Sequence, residues 1–192
     1  MRPFIIILFS ILPTILFGQL SIDTTRIKSQ RITDTTDQAF YGVSKGLTPL
    51  AKSENYLEIR MSVFYAPVGG FEDRIITYDG KNWGATLIKS SLNLYDTTAT
   101  TITKLNPKHS YTYIIQQLAD IGLFNLPSQH ELNKPNRVFD GNMYSIAYKV
   151  GNRFRQLTFD NPTIYKKLYR KTKAFKKYED LVDVFYSGFD KQ

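Results

Sequence analysis

Leu57, Ile59, Met61, Val63 and Tyr65 are apolar and alternate with Glu58, Arg60 and Ser62. A period of two residues is the mark of a strand, because successive side chains leave opposite sides of a sheet. A helix cannot put positions 57, 59, 61 and 63 on one face. The fold must therefore be built on a sheet, and this stretch predicts a half-buried strand with Glu58 on its wet face. Pro67-Val68-Gly69-Gly70 ends it. Segments 74–78 and 83–89 read as two more strands, joined by a hairpin turn at Asp79-Gly80-Lys81-Asn82. Segment 100–105 is rich in β-branched residues and reads as another.

The period then changes. Tyr111, Ile114, Ile115, Leu118 and Ala119 share one helical face. Ser110 or Asn106 is the expected cap, with Pro107 at the first position in the second case. Gly122 suits a left-handed stop, and Leu123 folds back on the last turn. A loop at 127–135 leads to a second hairpin, 142–150 and 153–159 around Gly151-Asn152. Asn161 then caps a final helix with Pro162 in its first turn. Ile164, Leu168, Phe175, Leu181, Val182 and Phe185 supply its buried stripe, which Lys171 interrupts. The interruption predicts a bend or a departure from the sheet. Strands, helix, strands, helix is not the single alternation of a doubly wound parallel sheet. The expected fold is α+β: an antiparallel sheet of about five or six strands with two helices packed on one face.

Ahead of this domain, Arg2 and the apolar run 4–17, closed by Gly18, match a secretory signal over 1–18. The run is shorter than the about 20 apolar residues of a spanning helix and holds Pro13. Residues 19–53 are polar and read as a mostly disordered leader, leaving one domain over 54–190. The chain has no cysteine, so no disulfide supports that domain. Asn161-Pro162-Thr163 is blocked as a glycosylation site by its proline. These features suit a bacterial export, soluble after cleavage, in the periplasm or outside the cell.

Catalytic motifs are weak. Gly42-Val43-Ser44-Lys45-Gly46 spells G-x-S-x-G, but no buried strand precedes it and Thr48-Pro49 stands where a helix should start. His109 and His130, the only two histidines, share no helix face and so offer no paired zinc spacing. Of the carboxylates, Asp79 and Asp140 suit turns, Asp120 a helix end and Glu58 a wet strand face; Asp73 and Glu131 are also present. A hydrolase built on Glu58 or Glu131 would need two of them across one cleft. No phosphate-binding glycine loop follows a strand, and no cofactor is expected.

Charge is the sharpest local feature. The net charge is +8. Lys166, Lys167, Arg170, Lys171, Lys173, Lys176 and Lys177 crowd the last helix, interleaved with Tyr165, Tyr169 and Tyr178. Lys149, Arg153 and Arg155 come just before. Lys166, Arg170, Lys173 and Lys177 follow helical spacing and predict one continuous stripe. A solvated helix face is the plain reading of such a run. The functional reading is an electrostatic dock, with Lys166, Lys167, Arg170, Lys173, Lys177, Arg153 and Arg155 as its contacts. Export points away from nucleic acid and toward an anionic envelope component or an acidic protein. The leading expectation is a non-enzymatic binding module; an exported hydrolase and a secreted protein inhibitor are the alternatives.

Overall fold

A computed structural model describes residues 47–66, 69–91, 99–134 and 141–190. The signal at 1–18, the leader as far as residue 46, the G-x-S-x-G motif with Ser44, and Asp140 lie outside the described residues. The described elements are β1 (Leu57–Phe64), β2 (Gly70–Tyr78), β3 (Trp83–Ser91), β4 (Ala99–Lys104), α1 (Tyr111–Ile121), β5 (Met143–Val150), β6 (Arg153–Asp160), α2 (Pro162–Leu168) and α3 (Lys173–Ser187). All six strands join one antiparallel sheet, in the order β4-β3-β2-β1-β5-β6. The fold is α+β.

The alternating stretch is the centre of that sheet. Ile59 stands opposite Ile76 on β2 and Tyr148 on β5, and Met61 stands opposite Ile146. Leu57, Ile59, Met61 and Val63 form one core with Ile114 and Leu118 of α1 and with Phe175, Leu181 and Phe185 of α3. Each fully buried aliphatic side chain of this kind contributes about 1.5–3 kcal/mol. Phe159 stacks on Tyr178 at 4.5 Å, which pins β6 to α3.

The termini of α1 follow the sequence. Ser110 is its cap, accepting from the Tyr113 amide at 3.1 Å. Gly122 has φ +102°, and the Leu123 amide returns to the Leu118 carbonyl at 3.0 Å. Asp79 organises its hairpin by accepting from the Lys81 and Asn82 amides, both at 2.7 Å.

Several expectations are corrected. The polar side of β1 is not wet: Glu58 and Arg60 are buried. They tolerate burial because they pair at 2.6 Å and because the preceding chain lies on them. Arg60 donates to the Thr48 carbonyl at 2.7 Å and Asn55 to Glu58 at 2.7 Å, while Ser53 also donates to Glu58. Of the expected leader only 47–53 belongs to the described residues, and there Leu50–Lys52 forms a 3-10 turn with Leu50 fully buried. β2 starts at Gly70 rather than 74, because Glu72 enters the interior paired to Arg74 at 2.7 Å.

Last, the final helix is two helices, giving three in all. The chain leaves helical geometry at Tyr169 (φ −119°, ψ 55°) and restarts after Thr172. One straight helix would carry Lys171 into the buried stripe. The break leaves Lys171 exposed, and it lets Tyr165, Tyr169 and Phe175 stack at 5.3–6.0 Å. Asn161 precedes α2 as expected, with Pro162 first, but its side chain does not cap the helix. Its Oδ1 accepts from the Asn142 amide at 3.1 Å, tying α2 to the start of β5.

Candidate functional site

The corner between α2 and α3 is the most basic part of the described chain. Asn161 to Tyr178 contains seven lysines and arginines and no acidic residue. Lys167, Arg170, Lys171 and Lys173 are exposed there. None of the four forms an ion pair with another described residue. Lys134 reaches the same corner, its ammonium 6.0 Å from the centre of the Tyr169 ring.

Local geometry explains the arrangement. Tyr165 is fully buried and stacks on Phe175 at 5.3 Å, so it sets the rotation of α2. With Tyr165 and Pro162 inward, Lys167 turns outward. So do Ile164 and Leu168, which are 43% and 48% exposed. These two were expected in the buried stripe; the aromatic at 165 takes the inward position instead. One continuous helix would give Tyr165 no reason to face inward; the break after Leu168 does.

Electrostatics concentrate positive potential at this corner. Lys166 and Lys167 lie in the last turn of α2, where a cation suits the helix dipole. Lys173 opens α3, whose first turn has no acidic residue. A cation there opposes the dipole, so the charge is not explained by helix stability.

The predicted stripe is not continuous, because the break separates its members. Lys166 turns back to Glu179 and forms an ion pair that holds the Glu179 carboxyl below its ordinary pKa. Lys177 is half-buried, and its ammonium stands 3.0 Å from where a Cβ on Gly122 would lie, against the C-terminus of α1. Lys176 pairs with Asp180 at 2.9 Å, and that hydrogen bond raises the Lys176 pKa. Arg153 sits at the far end of β6, about 23 Å of strand from Asp160 and the start of α2. Arg155 is buried: it donates to Glu131 at 3.0 Å and to the Leu126 carbonyl at 3.3 Å. Of the seven predicted contacts, Lys167, Arg170 and Lys173 therefore share the exposed corner, and Lys166 borders it.

The candidate catalytic groups have local partners. Glu58 holds Arg60, and Glu131 closes a capping box with Ser128 while pairing with Arg155. His109 lies edge-on to Tyr113 at 5.0 Å, and His130 is exposed in the 3-10 turn Gln129–Leu132. Among the described residues, no three His, Asp or Glu side chains gather as metal ligands do. A cleft of about 430 Å³ opens beside Tyr65, Glu72, Lys89 and Thr101. Its carboxylate, Glu72, is held by Arg74 at 2.7 Å and faces Lys89 at 3.8 Å. Beside it the Tyr65 and Tyr186 hydroxyls meet at 2.9 Å, and burial raises the pKa of both. A second cleft, of about 520 Å³, lies along Thr48, Ser53, Glu58 and Arg60.

No protein-family model matches the chain, and no curated protein matches it at a significant level. No helix among the described residues is long and apolar enough to cross a membrane.

Proposed function

We propose that the chain is exported, loses residues 1–18, and acts as a non-enzymatic module that docks an anionic envelope component or acidic partner through the α2–α3 corner. The observation that supports this most is the exposure of Lys167, Arg170, Lys171 and Lys173 together, with no acidic residue from Asn161 to Tyr178. Charges placed for stability alone are normally interleaved with opposite charges or set to match the helix dipole. Lys173 does neither.

The test is binding to immobilised polyglutamate by the wild type and by the variant carrying Lys167→Glu, Arg170→Glu, Lys171→Glu and Lys173→Glu. The wild type binds, and its affinity falls steeply with salt because exposed charges are screened. The variant loses binding and keeps its melting temperature within a few degrees, since all four positions are exposed. Equal binding by the two proteins refutes the proposal.

A further inference from the structure

Resting on that reading, we infer that the anionic partner of the corner is the surface of a lipid bilayer. The observation behind this is apolar rather than charged. Among the described residues only three aliphatic side chains are strongly exposed: Ile102, Ile164 and Leu168. Two of the three lie on α2, inside the basic corner.

Ile164 and Leu168 are one helical turn apart and lie on the same outward face as Lys167. Arg170 and Lys171, both exposed, come after Tyr169, where the chain has left the helix. An aliphatic pair with exposed cations beside it in the chain fits the boundary between headgroups and acyl chains: the apolar groups enter the boundary while the cations stay among the phosphates. The long stems of lysine and arginine cover the apolar rim as they do so. A soluble polyanion would use the cations and leave Ile164 and Leu168 in water, so it accounts for half of the surface. The tyrosines of the corner serve the interior instead. Tyr165 is buried, and Tyr169 stacks on Phe175 at 5.5 Å.

Each basic residue near an anionic bilayer strengthens partitioning by roughly fivefold. Reversing Lys167, Arg170 and Lys171 therefore weakens it by at least on the order of 100-fold. Replacing Ile164 and Leu168 with serine weakens it by on the order of tenfold.

The chain contains no cysteine, so Leu168→Cys gives one labelling site for an environment-sensitive fluorophore. Tyr56→Cys is the control: it is 52% exposed, and its carbonyl accepts from the Gly151 amide in the turn that opens β6, away from α2. Both labelled chains, lacking residues 1–18, meet vesicles of phosphatidylglycerol and phosphatidylcholine, vesicles of phosphatidylcholine alone, and soluble polyglutamate. The expected result is an apolar shift of the Leu168 label with anionic vesicles only. It disappears in Lys167→Glu/Arg170→Glu/Lys171→Glu, and the Tyr56 label stays silent. An equal shift with neutral vesicles overturns the inference. So does a silent Leu168 label on anionic vesicles; if corner-dependent polyglutamate binding survives, the lipid assignment alone falls. Failure to bind either anionic probe removes both the inference and the reading beneath it.

Discussion

Arg155 and Glu131 meet at 3.0 Å, and the pair fastens the chain between α1 and β5 against the outer strand β6. The arginine is 4% exposed and the glutamate 39%. Around them Ser128 accepts from the Thr158 amide at 3.2 Å and Gln129 from the Asp160 amide at 2.9 Å. These bonds satisfy outward backbone groups that would otherwise invite strand addition. Arg155→Ala removes both the pair and the bond to the Leu126 carbonyl. Because Glu131 can rehydrate, the loss is about 2–3 kcal/mol rather than the full cost of a stranded buried charge. Urea denaturation checks this. Polyglutamate binding at a concentration where the variant is folded should be unchanged, since Arg155 does not reach the exposed corner.

Glu72 and Arg74 make a second prediction. They lie on neighbouring inward positions of β2, and the guanidinium lies 4.3 Å over the Tyr186 ring. The pair thus links the sheet to the end of α3. Arg74→Met leaves the Glu72 charge with only Lys89, at 3.8 Å, as its cation, and costs about 3 kcal/mol. The double variant Glu72→Gln/Arg74→Met costs less than the two single losses added together, by 1 kcal/mol or more in a denaturation cycle. Additive losses would show that the residues act separately.

The parts of the fold legible in the sequence are those decided by local rules. The two-residue period placed β1, Asp79-Gly80 placed a hairpin, and Ser110 and Gly122 marked the ends of α1. Partnerships were not legible. Nothing local says that Glu58 will meet Arg60 under the chain around Thr48, so a buried face read as wet. The basic corner was visible as composition, but its membership depends on the break after Leu168 and on Tyr165 winning the inward position. Both follow from aromatic stacking across α2 and α3, which is tertiary. Lys171 in the expected stripe was the local trace of that break, and it led to a bend rather than to two helices. Arg155 looked like a surface cation because its partner lies 24 residues away.

The Lys166–Glu179 pair gives a pH prediction. The folded pKa of Glu179 is lowered, first by its hydrogen bond from Lys166, from an ordinary value of 4.5. A carboxyl whose folded pKa is depressed adds stability above its unfolded pKa and loses it as pH falls through the folded value. Glu179→Gln therefore lowers stability at pH 7 and has little effect near pH 2. The lysine is 39% exposed and the glutamate 18%, so the neutral-pH loss is about 0.5 kcal/mol. Thermal melts of both proteins across pH 2–7 should converge at the acid end. A constant gap would mean that Glu179 contributes by packing.

Lys173 separates function from stability most sharply. It occupies the first position of α3, where the helix dipole disfavours a cation and no acidic residue compensates. Lys173→Glu should therefore stabilise the domain by about 0.3–1 kcal/mol, seen as a higher urea midpoint. The same change reverses a charge in the exposed corner and weakens binding to anionic vesicles and to polyglutamate severalfold at low salt. Opposite signs in one substitution are what a residue retained for docking produces. A purely solvated helix face predicts the gain in stability without the loss of binding, and a structural role for Lys173 predicts a fall in both.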